Sequence, residues 1–522
     1  MKITMGLYDY PQKQQQPEFE LDYFLSNIAV LGGPLSGKTT FMKSFLVQIT
    51  RAVIQYGYKE NIYIIDFGGS LGDYGNLPNV CACFNGRNEE DIKRVFKTID
   101  NELDKKLDVL KNQNFNKFFQ ENFNDCLQHT TLIIENLNSF LSDERYASYQ
   151  EKLHQFCRDG LSKGLTVVVS ANELSGISRL LSNFSQKVVF DMPADNYFEI
   201  FNSKVLKPMK LPGRGLINRN SSVFEFQCIL PFPCDEAESL NRLIEESGKK
   251  ISCNKLLSFP VVLTTENFAE NCTGSQIKSS ENITVGLDYY THYSVDVDIK
   301  QNRAVAIYGK RQFGKTNLLR LLLNKLKQNK NYRFVYLDDG REELLEFFDS
   351  AEDKISNFYF TEVAEFRDFL VDNGYGGTYS SSHPQKGKSG FVEKTPFTVF
   401  VLQNKSLFLS AIDSKFLMGA LFPDMISKAE ARNFLFIFSD VRRFSGELMD
   451  VRSTFNNSIS TAFLLDNIGD FVNDKGKNTV FGEMDPKELK AEYAKCSIGD
   501  GYFYDVSSDN LQKIKFLHTK NF

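Results

Sequence analysis

Two stretches of this chain carry residues at a spacing suited to holding phosphate. Gly32, Gly33, Pro34, Leu35, Ser36, Gly37, Lys38, Thr39 and Thr40 form one; Gly309, Lys310, Arg311, Gln312, Phe313, Gly314, Lys315, Thr316 and Asn317 form the other. Both fit Gly-x-x-x-x-Gly-Lys-Thr. The glycines let successive backbone N–H groups turn inward around an anion, at the positive end of the helix that follows. Lys38 or Lys315 adds a point charge for the β- and γ-phosphates, and the hydroxyl of Thr39 or Thr316 can ligate Mg²⁺. An apolar, strand-like run precedes each loop and a helix-like pattern follows it, the context such a loop needs. ATP with Mg²⁺ is the expected cofactor, with the nine residues of each stretch as its candidate binding set; the second loop is read as binding nucleotide or nothing.

Hydrolysis asks for more. A Walker B strand usually ends in two carboxylates, one on the metal side and one that positions or activates water. The first half offers Glu135 followed by Asn136, one acid where two are wanted. Glu135 can reach the metal or polarise water, but hardly both. The second half offers Gln403 and Asn404 and no acid at that point. Turnover is therefore expected to be feeble in the first half and absent in the second. The expected metal ligands are Thr39, Glu135 and Thr316. Lys310 and Arg311 add cations to the second loop, to favour phosphate or simply to be solvated.

The elements that must position these residues also come twice. "ITMGLYDY" (Ile3 to Tyr10) returns as "ITVGLDYY" (Ile283 to Tyr290). After each phosphate loop come "NIYIIDFGG" or "YRFVYLDDG", then "TTLIIENLNSF" or "FTVFVLQNKSLF", then "GLTVVVSAN" or "NFLFIFSDV". "LPGRGLI" stands near the end of one half and "SIGDGYFY" near the end of the other. Apolar strands alternating with charged helical stretches predict two tandem α/β domains, each a mainly parallel sheet flanked by helices in the P-loop NTPase, RecA-like manner. The division is placed at 1–262 and 263–522, with the polar stretch Thr264 to Asn282 as the joint. Asp372 to Gly390, which carries Tyr375 and Tyr379, reads as a long mobile loop inside the second half.

The bulk properties agree with this. At 522 residues the chain is too long for one core. Its net charge of −5 argues against a general nucleic-acid-binding surface. Nine cysteines without a Cys-x-x-Cys pair suggest buried thiols in a reducing compartment. No apolar run approaches the ~20 residues that span a bilayer, so the chain reads as soluble.

The order of these motifs resembles the FtsK/SpoIIIE-type ATPases of type VII secretion, the EssC family, over essentially the whole chain. "GLYDYPQKQQQPEFELD", "YIIDFGG", "CRDGLSKGLTVVVSAN" and "LPGRGLI" are similar to one module of that family, and "VGLDYYTHYSVDVDIKQNRAVAIYGKRQFGKTNLLR" to its last. The resemblance implies a C-terminal two-module fragment, with Met1 either native or an expression start. It also implies action at the cytoplasmic face of a bacterial membrane and coupling of nucleotide binding to export of WXG100-type proteins and larger toxins. The partners it implies are those substrates and other secretion components, with a hexamer in the full assembly and a monomer for this fragment. Arg158 falls near where such ATPases place an interface arginine, and a plain helix-surface charge is the competing reading. The Pro-Gly-Arg-Gly loop, intact at Pro212 to Gly215, becomes Ile498 to Gly501 in the second half. Two other readings stand beside this one. One is an FtsK-like DNA translocase or conjugative coupling ATPase, which the acidic balance disfavours. The other is a non-hydrolysing module that senses nucleotide and docks substrate.

Overall fold

The computed structural model describes residues 1–111, 113–122, 127–202, 205, 207–219, 222–275, 282–298, 303–328, 332–348, 357–373, 397–403, 425, 429, 433–440, 459–466, 468 and 496–519. The chain divides into two compact units, Met1–Ser258 and Phe259–Phe522.

In the first unit ten strands form one sheet: β1 (Lys2–Tyr8), β2 (Glu18–Asp22), β3 (Ile28–Leu31), β4 (Glu60–Asp66), β5 (Val80–Phe84), β6 (His129–Glu135), β7 (Leu165–Ala171), β8 (Gln186–Val189), β9 (Arg214–Arg219) and β10 (Ser222–Cys228). Their order is β2-β1-β10-β9-β8-β3-β7-β6-β4-β5. From β8 to β5 the neighbours run parallel. β3, β4, β6 and β7 are buried at every position. Such strands need helices on both faces, which is why they carry continuous apolar stretches such as "IAVL" in β3, "IYII" in β4 and "VVV" in β7 rather than strict alternation. One core layer, with Phe41, Phe45 and Phe190, lies on one face of the sheet; another, with Phe96, Phe140 and Phe156, lies on the other.

The second unit begins with β11 (Leu263–Thr264) and β12 (Gly274–Ser275), followed by β13 (Asn282–Asp288), β14 (Tyr293–Asp298), β15 (Ala304–Gly309), β16 (Tyr332–Leu337), β17 (Phe358–Phe360), β18 (Phe397–Leu402), β19 (Phe434–Asp440), β20 (Thr461–Leu465), β21 (Asp500–Asp505) and β22 (Asn510–His518). Its order from β14 is β14-β13-β22-β21-β20-β15-β19-β18-β16-β17. Strand for strand this is the first sheet again, so the sequence repeat is a repeat of topology.

One detail fixes the likeness at residue level. β1 carries a bulge between Thr4 and Gly6 against β2, and β13 carries one between Thr284 and Gly286 against β14. A Cβ on Gly6 would lie 2.1 Å from the Gln227 carbonyl oxygen, and one on Gly286 2.1 Å from that of Lys515. Each glycine lets a neighbouring strand close in where a side chain would hold it off.

Two expectations need correction. The stretch from Thr264 to Asn282 is not simply a joint. Leu263 is buried with Leu287 and Leu517, and Thr264 caps the helix Thr265–Asn271 in a reciprocal capping box with Asn267. The polar residues that read as linker are cap residues. Among the cysteines, Cys234 is exposed rather than buried. The expected mobile loop lies outside the described residues beyond Asn373.

Candidate functional site

The first phosphate loop links β3 to the helix Lys38–Tyr56. Gly37 caps that helix at φ 107°, with no side chain bonded to the first-turn amides. Those N–H groups are left to an anion. Lys38 is buried, and its ammonium donates to the carbonyl oxygens of Gly32 at 2.5 Å and Gly33 at 2.8 Å. Burial pulls its pKa down, while Glu135 opposes that shift. Pro34 and Leu35 are exposed, Thr39 and Thr40 half-buried at the helix start. The Ser36 hydroxyl is buried without a hydrogen-bond partner among the described residues.

The loop is buttressed from the side. A Cβ on Gly37 would lie 2.5 Å from the backbone nitrogen of Gly213, and Gly213 N–H donates to Ser36 O at 3.0 Å. The Pro-Gly-Arg-Gly stretch thus meets the phosphate loop through its first glycine. Arg214 turns away, 2.9 Å from an Asp9 oxygen and 3.6 Å from one of Glu225.

Glu135 ends β6, and the parallel register sets it beside Asp66 at the end of β4. Burial raises the Glu135 pKa, and the Asp66 charge raises it further; a backbone hydrogen bond from Gly68 and the Lys38 charge work against this. Glu135 Oε2 and Asp66 Oδ1 are both buried without a hydrogen-bond partner among the described residues, whereas Asp66 Oδ2 accepts from Leu71 N at 2.6 Å. Two buried carboxylates with unused oxygens, near the charge of Lys38, suit a hard divalent cation with oxygen ligands such as Mg²⁺. From the sequence Asp66 is merely the end of a strand; its pairing with Glu135 depends on register. Asn136, at φ 62°, bonds Ser139 Oγ through its amide at 2.7 Å.

The second loop repeats the arrangement between β15 and the helix Lys315–Lys327. Gly314 caps that helix at φ 102°, again without a side-chain cap. The Lys315 ammonium donates to Gly309 O at 2.8 Å and Lys310 O at 2.7 Å. Lys310 pairs with Asp466 at 2.9 Å, Arg311 and Gln312 are exposed, and Phe313 packs partly into the core. Asn317 spends its amide on the last strand, donating to Leu517 O at 2.9 Å and accepting from Thr519 N at 2.9 Å. At the place of Arg214 stands Asp500, in a buried pair with Lys515 at 2.8 Å. Gln403 follows β18, as the sequence implies, and Asn404 lies outside the described residues. Gln403 is thus the residue at that strand end, and a carboxylate reaches the loop threonine from elsewhere: Glu343 Oε2 accepts from Thr316 Oγ at 2.7 Å and from Gln403 Nε2 at 3.1 Å.

Arg158 lies at the end of the helix Ala147–Asp159, just before β7 begins. β7 runs parallel to β3, so Arg158 sits at the opposite end of the sheet from its own phosphate loop. It is paired with Asp159 at 2.9 Å and borders a surface cavity of about 890 Å³ shared with Lys152, His154 and Arg179.

Fold and loops together define a tandem pair of P-loop NTPase modules. No family model matches the chain. It is similar to the type VII secretion system protein EssC of Staphylococcus aureus (strain MRSA252), with 22% identity over 374 residues, 69% of this chain and 25% of that protein. The chain therefore spans about a quarter of that relative's length. Among solved structures, ATPases 2 and 3 of EssC from Geobacillus thermodenitrificans superpose with a TM-score of 0.72 at 19% identity, over 99% of this chain and 96% of that one. Thermomonospora curvata EccC (ATPases 2 and 3), in complex with a signal sequence peptide, gives 0.56 at 17% identity, over 100% and 93%. The resemblance read from the motifs, to the C-terminal ATPase modules of EssC, is borne out. No described helix is long and apolar enough to cross a membrane.

Proposed function

We propose that this chain is the pair of C-terminal nucleotide-binding modules of a type VII secretion motor. Both loops bind MgATP, the first more tightly, and binding is coupled to recognition and export of WXG100-type proteins and larger effectors. The observation that carries this reading is the pair of phosphate loops, each with its lysine folded onto loop carbonyls, in a chain that matches ATPases 2 and 3 of EssC over nearly its full length. Bound Mg²⁺ would neutralise phosphate charge. Thr39, Glu135 and Asp66 would hold it in the first module, while Lys38 exchanges the Gly32 and Gly33 carbonyls for phosphate oxygens.

Hydrolysis by the isolated chain is feeble in this reading. Glu135 stands on the metal side, and Asn136 is engaged by Ser139, so no second acid at that strand end positions water. Loss of such a group costs about 10²–10⁴-fold in rate. Steady turnover above ~1 s⁻¹, an ordinary enzyme's pace, would contradict this.

Substrate recognition is assigned to the second module, which keeps its core while departing from the usual acid at Gln403. The signal sequence peptide in complex with ATPases 2 and 3 of the Thermomonospora relative supports recognition by such a pair of modules. The test is fluorescence polarisation of a labelled WXG100-type hairpin protein titrated with the full chain. Saturable binding is expected, and its absence in the presence of the remaining motor components would remove the cargo role. The DNA-translocase reading predicts DNA binding with a steep salt slope. This acidic chain should show none.

A further inference from the structure

The second phosphate loop lacks an acid at the end of its Walker B strand, yet its threonine is not without one. Glu343 lies in the turn after β16, the strand next to β18 in the sheet. Its Oε2 stands between the two groups that flank a nucleotide's metal in this fold: Thr316 Oγ, which donates at 2.7 Å, and Gln403 Nε2, which donates at 3.1 Å. We propose that Glu343 is the metal-side carboxylate of the second module, replacing from the neighbouring strand the acid that Gln403 is not. The proposal rests on the reading that the second loop binds nucleotide.

Three features make Glu343 a placed group rather than a passing surface charge. Asp338, the residue after β16, pins the turn by accepting from Glu342 N at 2.8 Å and from the Tyr359 hydroxyl at 2.6 Å. Arg320, on the loop's own helix, donates to the Glu343 carbonyl at 2.7 Å, and Leu344 is buried. Gln403 is held as an orienter, because its Oε1 accepts from the Tyr336 hydroxyl and its amide nitrogen is thereby turned on Glu343.

The first module carries the complementary arrangement. Asp66 pins the equivalent turn by accepting from Leu71 N at 2.6 Å, but that turn brings no carboxylate to the loop threonine, and Glu135 supplies the acid from the strand end instead. Each site thus has an acid near its phosphate loop, on neighbouring elements. A threonine hydroxyl can ligate a cation through its lone pair while donating its proton to a carboxylate. The Thr316–Glu343 bond is therefore compatible with a bound metal rather than opposed to it. Arg341, 3.7 Å from Glu343 Oε1, is the cation that faces this carboxylate among the described residues.

The experiment uses the full chain with Lys38→Ala, which silences the first loop, and measures affinity for a fluorescent ATP analogue in Mg²⁺ and in EDTA. Four versions are compared: this background alone, with Glu343→Gln, with Glu343→Asp, and with Lys315→Ala. Glu343→Gln should weaken binding about 10–100-fold in Mg²⁺, the range for removing a carboxylate that supports a metal site, and leave binding in EDTA unchanged. Glu343→Asp, which keeps the charge, should retain a Mg²⁺ advantage and show that the loss is not misfolding. Equal or tighter binding by Glu343→Gln in Mg²⁺ would make the carboxylate a plug and overturn the proposal alone. Binding that Lys315→Ala does not weaken would overturn the nucleotide reading of the second loop, and the proposal with it.

Discussion

Gly37 and Gly213 meet with no room for a side chain between them: a Cβ on Gly37 would stand 2.5 Å from the Gly213 nitrogen and 2.9 Å from its Cα. Both have positive φ, 107° and 82°. This contact joins the phosphate loop to a stretch far away in the sequence, and it gives Gly37 a steric reason to be glycine.

Gly37→Ala should therefore unseat both segments. The backbone conformation alone costs about 1–3 kcal/mol for a residue with a side chain. Chemical unfolding should show at least that loss, and MgATP affinity at the first site should fall with it. Unchanged unfolding and affinity would mean that the two segments do not depend on one another.

Glu135→Gln should stabilise the nucleotide-free chain in a pH-dependent way. The folded-state pKa of Glu135 is raised, chiefly by burial and then by Asp66. The stability it contributes is full below the ordinary carboxylate range near 4.3 and is lost as pH rises through the folded value. The variant should thus unfold later than the wild type at neutral pH, and the gap should close as the pH falls toward that range. A gap that does not change with pH would contradict the burial of this carboxylate. In Mg²⁺ the same variant should bind nucleotide less well, because the metal favours the ionised acid.

Gly286→Ala should destabilise the second unit, since its Cβ would meet the Lys515 carbonyl oxygen at 2.1 Å. Overpacking of this kind costs about 1–3 kcal/mol. Gly6→Ala, with the same clearance to Gln227, should cost the first unit a similar amount. Denaturant titration of each variant checks both. Silent substitutions would show that the shared bulge is not needed for the close pairing of strands.

The two phosphate loops were legible because their chemistry is contiguous: a strand, a glycine turn, Lys38 or Lys315, and a helix follow one another along the chain. The strands were legible as well, since both-face burial makes "IAVL" and "LII" unbroken apolar runs. What the sequence hid lies across strands. Asp66 joins Glu135 only through parallel register, and Gly213 joins Gly37 only once β9 has taken its place two strands from β3. Glu343 stands among several acids in "DDGREELLE", and nothing in that run shows which one the turn delivers to Thr316. The helix Thr265–Asn271 read as linker because a capping box is made of the same polar residues as a loop.

Each module is proposed to hold a nucleotide, the first more tightly than the second. Glu135 Oε2 and Asp66 Oδ1 are unpartnered among the described residues, whereas Glu343 Oε2 already accepts from Thr316 and Gln403, which must readjust around a metal. Isothermal titration of MgATP into the wild type, Lys38→Ala and Lys315→Ala tests this directly. Two binding events are predicted, the tighter lost in Lys38→Ala and the weaker lost in Lys315→Ala. Loss of the tighter event in Lys315→Ala, or no change in either variant, would contradict the account.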